Sequence, residues 1–159
     1  MAKVYLNIGS NIERRDNIRR CMKTLSNKYP DVVFSHVYET EAFGFKGNAF
    51  YNLAASLQTS QSFEQFSSYL KALEDDHARQ RDGVKFSSRT LDIDILLYDD
   101  LILQPEYDIP RKEILLYPFV LFPLEEISPD VIHPELKLSI AEIAAQSELD
   151  RNVLRLISL

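Results

Sequence analysis

The sequence predicts an α+β protein whose core elements follow the order β-α-β-β-α-β. Three observations support this prediction: four segments alternate like strands, two carry apolar residues at helical spacing, and the two types follow one another in that order. This is the split βαβ arrangement of ferredoxin-like folds. After this core we predict a C-terminal extension of helices and short strands, so that helices and sheet form αβα layers. With 159 residues, we expect residues 1–159 to form a single domain.

The first β-α-β unit occupies about the first 40 residues. Residues 3–9 (KVYLNIG) alternate between apolar and other side chains and predict a short strand that ends at Gly9. Residues 11–28 predict an amphipathic helix, because apolar side chains recur at helical spacing at Ile18, Cys21, Met22 and Leu25. Residues 32–40 are rich in β-branched and aromatic side chains and predict the second strand.

The second β-α-β unit begins with a predicted strand at about residues 50–59. Ser62-Phe63-Glu64-Gln65 is a capping-box pattern, which predicts a helix that continues to about Gln80. A polar loop over residues 81–88 then leads to a strand over residues 91–98.

The remaining residues predict the extension. Asp99 and Asp100 are expected to turn the chain into a short partner strand around residues 101–103. Helices are predicted around residues 119–127 and 139–146, and residues 153–159 are too short a segment to assign.

Charge and composition exclude several classes of function. Eighteen Lys and Arg against 24 Asp and Glu give a net charge of −6, which implies no general affinity for nucleic acid or for a membrane. The N-terminus lacks the apolar run of a signal peptide, and the one cysteine, Cys21, excludes an intrachain disulfide. Cys21 lies on an apolar helix stripe, which favours a buried structural thiol. We therefore expect a cytoplasmic protein. We also expect a monomer, because nothing in the sequence resembles a dedicated interface.

Two acidic residues, Asp92 and Asp94, interrupt the apolar strand at residues 91–98. Alternation along the strand places Leu91, Ile93, Ile95 and Leu97 on one face, and Asp92, Asp94, Leu96 and Tyr98 on the other. At ~3.4 Å per residue the two aspartates stand roughly 7 Å apart, so their carboxylates can converge on one or two divalent ions. An edge strand with a solvated acidic face is the alternative, and spacing alone does not separate the two.

A basic segment directly precedes the aspartates. It contains Arg79, Arg81, Lys85 and Arg89. Such a run by itself is typical of a solvated surface, but beside paired carboxylates it favours a metal–polyphosphate site, with arginines on the outer phosphate oxygens. The chain has no P-loop motif, no histidine pair at metal-binding spacing and no nucleophile–base motif. Phosphoryl-type transfer needs little covalent help from the protein.

Six short motifs occur together along the chain. The most specific is residues 89–96, RTLDIDIL. The others are IGSN at 8–11, Tyr38-x-Thr40, Phe50-x-Asn52, FVLFPL at 119–124 and ISP at 127–129. Taken in chain order, the six motifs resemble the 6-hydroxymethyl-7,8-dihydropterin pyrophosphokinase family of folate biosynthesis, and the resemblance covers about residues 3–135.

The resemblance implies transfer of the β,γ-diphosphate of ATP to the hydroxymethyl oxygen of the pterin, with release of AMP. Two Mg²⁺ ions would be held by Asp92 and Asp94, with ATP as co-substrate. Glu74 and Arg89 would lie near the nucleotide, and Arg79 and Arg81 would belong to a mobile loop that closes over the phosphates. Such closure would exclude water as a competing acceptor.

The resemblance also implies a pterin site. Phe50 and Phe119 would stack on the two faces of the ring, and Asn52 would hydrogen-bond its edge, helped by the backbone from Thr40 to Phe43. Aromatic side chains stacked on both faces, with fixed polar groups at the edge, are well suited to bind a flat heteroaromatic ring.

One segment departs from the family pattern. Arg111 stands where the family usually has histidine, and Tyr117 stands where a later arginine is usual. Arg111 and Lys112 still offer positive charge to ATP. The departure also motivates an alternative, a ferredoxin-like pterin or nucleotide-binding module without transfer activity. A separate third hypothesis is a two-metal phosphohydrolase, which would need no pterin.

Overall fold

The computed structural model describes residues 1–41, 48–79 and 91–159, and for residues 78 and 79 it describes the backbone only. The strands are β1 (Ala2–Ser10), β2 (Val33–Phe34), β3 (Val37–Thr40), β4 (Phe50–Thr59), β5 (Asp92–Tyr98) and β6 (Arg155–Ile157). The α-helices are α1 (Arg14–Lys28), α2 (Phe63–Arg79), α3 (Pro118–Ile127) and α4 (Ile140–Gln146). Within these ranges there are also two 3-10 helices, at Lys112–Leu115 and Arg151–Val153.

The strands form one antiparallel sheet in the order β5-β1-β4-β3-β6, and β2 also pairs with β4. β1 therefore lies in the centre of the core, between the strands that begin and end the second β-α-β unit. This order confirms the predicted α+β class and the ferredoxin-like core.

The helices cover both faces of the sheet and give the predicted αβα layers. Val4, Leu6 and Ile8 of β1 belong to one apolar cluster with the buried sides of α1 and α2. Tyr5, the alternate residue of β1, belongs to a second cluster with α3 and α4. No helix within the described ranges is both long enough and apolar enough to cross a bilayer.

The predicted second strand is interrupted at Ser35 and His36. The Ser35 hydroxyl donates to the His36 carbonyl at 2.7 Å and accepts from the Ala54 N–H at 2.8 Å. A side chain thus replaces a ladder bond, and the segment divides into β2 and β3.

The prediction of a strand around residues 101–103 is wrong. The Leu103 N–H donates to the Ile109 carbonyl at 2.8 Å, and the Tyr107 N–H donates to the Leu103 carbonyl at 3.0 Å. These bonds close a compact turn, so the segment does not pair as a strand. The short strand of the extension is instead β6, which the sequence did not assign.

A bulge in β5 corrects the predicted faces of Leu97 and Tyr98. Tyr5 pairs with Leu97 while Leu6 pairs with Ile95, so Leu96 is an extra residue in the ladder. Alternation reverses after it: Leu97 packs in the α3/α4 cluster and Tyr98 in the α1/α2 cluster. The two aspartates precede the bulge, so it does not change their positions.

Candidate functional site

A cavity of about 230 Å³ lies over the sheet, at the end where β1, β4 and β5 meet. It brings together residues that the sequence analysis singled out from four separate elements. Its lining consists of Asn7, Gly9, Thr40, Phe50, Asn52, Asp92, Asp94, Glu113, Tyr117 and Phe119.

Strand register explains why the amide and the carboxylates meet. Gly9 of β1 pairs with Asn52 on one side and with Asp92 on the other. Two residues earlier, Asn7 pairs with Asp94. Directly paired residues project from the same face of a sheet. These polar side chains therefore project together, away from the face where β1 packs against α1 and α2.

The acidic pair is partly shielded from solvent. The Asp94 side chain is 25% exposed. Burial and, next in size, the neighbouring charge of Asp92 together raise the pKa of this carboxyl from 3.8 to about 7, although the Arg111 guanidinium acts in the opposite direction. A cation placed between the two carboxylates would relieve both effects.

The donor atoms fit Mg²⁺. Carboxylate oxygens are ligands that this hard ion prefers, and it usually keeps several waters and shares phosphate oxygens with its substrate. Among the described residues no group of three or more His, Cys, Asp or Glu side chains is arranged to hold a metal. A site built on Asp92 and Asp94 therefore needs the substrate and water to complete the coordination.

The amide side of the cavity is closely built. The Asn52 Nδ2 donates to Thr40 Oγ1 at 3.2 Å, which orients the side chain. A Cβ on Gly9 would lie 2.7 Å from Asn52 Oδ1, so only glycine leaves room for the amide in this position. Phe50 and Phe119 both line the cavity beside this amide.

Asn7 is a site residue that the sequence analysis missed. It is buried, and its Nδ2 donates to the Phe119 carbonyl at 3.0 Å, which ties β1 to the start of α3. A buried amide in an otherwise apolar strand was the available signal. Glu113 was also missed, because nothing local distinguishes it from the charged residues directly before it, Arg111 and Lys112.

A second cavity of about 290 Å³ lies beside the first, and Asp94 lines both. Glu74 and Arg111, two of the predicted nucleotide residues, line this second cavity. Glu74 Oε2 accepts from the Ile93 N–H at 2.7 Å, so α2 is linked to the backbone between the two aspartates. Lys112 is exposed and lines neither of these two cavities.

The other predicted residues cannot be placed at the site. Phe43, Arg81 and Arg89 lie outside the described residues. Arg79 is the last residue of α2, and its backbone alone is described.

Tyr117, which stands where the family usually has an arginine, lines the first cavity. Its ring stacks on that of Phe119, with centroids 5.1 Å apart and planes inclined by 15°. An aromatic residue here therefore extends the Phe119 surface instead of offering a charge.

Comparison with known proteins gives a consistent result. A family profile described as 7,8-dihydro-6-hydroxymethylpterin-pyrophosphokinase (HPPK) matches residues 5–129. The chain is 32% identical over 152 residues to the 2-amino-4-hydroxy-6-hydroxymethyldihydropteridine pyrophosphokinase of Aquifex aeolicus, covering 94% of each chain. It is 30% identical over 142 residues to the enzyme of the same name from Porphyromonas gingivalis, covering 85% of this chain and 96% of the relative.

A solved structure also shares the fold. Wild-type HPPK-DHPS of Plasmodium falciparum superposes with a TM-score of 0.66 at 14% identity, over 91% of this chain. The chain spans 44% of that longer protein, so this likeness concerns the fold of the matched part alone.

Proposed function

The chain belongs to the 7,8-dihydro-6-hydroxymethylpterin-pyrophosphokinase family, and we propose that it transfers diphosphate from ATP to 6-hydroxymethyl-7,8-dihydropterin at the cavity described above. It is a pyrophosphokinase of folate biosynthesis. The observation that carries the site assignment is the register that sets Asp92 and Asp94 beside Asn52 across β1.

The reaction needs an acceptor hydroxyl held in line with the β-phosphorus of ATP. The hydroxymethyl oxygen forms a bond to that phosphorus, the bond from phosphorus to the oxygen shared with the α-phosphate breaks, and AMP leaves. The acceptor hydroxyl releases its proton to water. Positioning and charge neutralisation provide most of the rate enhancement in such transfers.

In our proposal Asp92 and Asp94 would hold two Mg²⁺ ions, which would supply positive charge against the negative charge of the phosphates. Asn52, oriented by Thr40, hydrogen-bonds the edge of the pterin. Phe50 and Phe119 pack on the ring, and Phe43 belongs to the same site. Because Asp94 lines both cavities, the acceptor can approach this carboxylate from one cavity and the phosphates from the other.

The nucleotide is proposed to occupy the second cavity. Glu74 and Arg111 line it, and Lys112 follows Arg111 in the chain. Arg79, Arg81 and Arg89 are proposed to contact the phosphates, because guanidinium groups bind phosphate oxygens in bidentate geometry. A monomeric, cytoplasmic protein that binds no nucleic acid and forms one domain stays our prediction.

The test is AMP formation from ATP and the pterin by Asp92→Asn and Asp94→Asn. Each change removes one metal-binding charge at nearly constant volume, so turnover should fall by roughly 10²–10³-fold or more. Pterin binding, measured without nucleotide, should persist. Asp100→Asn is the matched control, because Asp100 is exposed in the turn after the same strand.

Normal turnover in either site variant would contradict the metal assignment. Pterin binding by the wild-type protein without any AMP release would favour the binding module instead. Release of phosphate from ATP without pterin would favour the phosphohydrolase.

A further inference from the structure

Arg111 forms an ion pair with Asp94, one of the two proposed metal-binding aspartates. Its Nη2 lies 3.4 Å from Asp94 Oδ1 and 2.8 Å from Glu113 Oε1. Its Nε donates to the same Glu113 oxygen at 2.8 Å. The side chains of Arg111, Asp94 and Glu113 are 27%, 25% and 29% exposed, so solvent screens these contacts only in part.

The backbone of Arg111 is anchored, so its side chain is the part that can move. The Arg111 N–H donates to the Leu96 carbonyl in β5 at 3.0 Å. The Gln104 side-chain amide donates to the Pro110 carbonyl at 2.9 Å, just before it. Rotation about the side-chain bonds can therefore move the guanidinium without disturbing the sheet.

The three side chains lie across the boundary between the two cavities. Asp94 lines both, Arg111 lines the proposed nucleotide cavity, and Glu113 lines the proposed pterin cavity. The contact with Asp94 is longer than the two contacts with Glu113. Glu113 therefore holds the guanidinium more closely, and Asp94 is the partner that it can give up first.

Charge explains why Mg²⁺ would replace Arg111 as the cation beside Asp94. Burial works against the charged form of Arg111, but Asp94 and Glu113 together raise its pKa, so it remains a cation. A guanidinium offers Asp94 one diffuse charge, whereas Mg²⁺ offers two charges on a small ion that prefers carboxylate oxygens. Phosphate oxygens then offer the displaced guanidinium a bidentate partner.

We propose that Arg111 is a competing cation that occupies Asp94 in the metal-free protein and moves to the phosphates when Mg²⁺ and ATP bind. Glu113 keeps the guanidinium beside the site during this exchange. This inference rests on the proposed function and deepens it. It gives Arg111, a residue that departs from the family pattern, a role in the order in which the metal and the nucleotide bind.

The inference requires Arg111→Gln to have opposite effects on two ligands. Without nucleotide, the variant should bind Mn²⁺ about fivefold more tightly, because the competing ion pair is lost. This is measured by electron paramagnetic resonance of free Mn²⁺. With Mg²⁺ present, its affinity for α,β-methylene-ATP should fall by roughly tenfold, because a charge-assisted phosphate contact is lost. This is measured by isothermal titration.

Lys71→Gln is the matched control. Lys71 is exposed and lines the same cavity as Arg111, and within the described residues it forms no ion pair with Asp94. Its removal should change the affinity for Mn²⁺ less than twofold. If the affinity for Mn²⁺ rose equally in Arg111→Gln and Lys71→Gln, the overall positive charge near the metal would explain the effect. That result would overturn the proposed exchange.

Two other outcomes are decisive. Unchanged or weaker Mn²⁺ binding by Arg111→Gln would overturn this inference while leaving the proposed function standing. A wild-type protein that binds no Mn²⁺, even with the nucleotide analogue, would contradict the metal site of the proposed function itself.

Discussion

At the scale of single residues, the site depends on which side chain is absent as much as on which are present. Gly9 lies between Asn52 and Asp92 in the sheet, and the space that its missing Cβ leaves is filled by the Asn52 amide. The Thr40 hydroxyl then fixes the amide. One glycine thus determines the orientation of a group proposed to recognise the pterin.

Gly9→Ala should weaken pterin binding by about tenfold, because the new methyl group displaces a hydrogen-bonding amide. The measurement is the dissociation constant of the pterin by fluorescence titration. If the methyl acts only through Asn52, the double variant Gly9→Ala/Asn52→Ala should bind no more weakly than Asn52→Ala alone. Losses that multiply in the double variant would contradict this explanation.

At the scale of secondary structure elements, β6 supports the strand that carries Thr40. Its three residues pair with Val37, Tyr38 and Glu39 of β3. Arg155 also forms an ion pair with Glu39, which in turn pairs with Arg14 of α1 at 2.7 Å. The C-terminal strand therefore links the edge of the sheet to the first helix.

Adjacent residues of β6 provide a matched pair of substitutions. Ile157→Ala should lower the free energy of unfolding by about 1–2 kcal/mol, because the side chain is partly buried against the α1/α2 cluster. Leu156→Ala should change it by less than about 0.5 kcal/mol, since Leu156 is 64% exposed. Chemical denaturation measures both. Equal effects would mean that β6 stabilises the fold through its backbone hydrogen bonds and not through side-chain packing.

At the scale of the whole molecule, each side of the sheet contains a buried histidine. His77 of α2 and His133, between α3 and α4, are 1% and 3% exposed. Burial lowers the pKa of both below the usual value. The Nδ1 of His133 accepts from the N–H groups of Glu135 and Leu136 at 3.2 and 3.1 Å, which requires the neutral ring.

The two histidines should therefore destabilise the fold on acidification, whereas Asp94, whose pKa is raised to about 7, acts in the opposite direction over the same pH range. Below the unfolded-state pKa of about 6.5 the unfolded chain takes up protons that the folded histidines resist, so stability present above that pH is lost as pH falls. The slope is at most about 1.4 kcal/mol per pH unit for each histidine. His133→Asn keeps an acceptor for the two N–H groups and should reduce the slope of unfolding free energy between pH 7 and 5. An unchanged slope would contradict the conclusion that His133 contributes to the pH dependence of stability.

The elements with regular apolar spacing could be predicted from the sequence because their signals are local. The helices α1 and α2, the strands β1, β4 and β5 and the Ser62 capping box all match their patterns. β6 and the turn at residues 101–103 could not be predicted, since a three-residue strand exists only through pairing and a turn only through its closing bonds. The bulge at Leu96 likewise arises from register with Tyr5 and Leu6.

By itself, the sequence determined the order of the elements and the spacing that sets two carboxylates on one side of a strand. The family motifs are also local. Only the tertiary structure decided which side chains meet: Asn7 against the start of α3, Asn52 over Gly9, and Arg111 between Asp94 and Glu113. The physical reason is that local spacing fixes the direction of a side chain, whereas its partners come from strands and turns brought together only by folding.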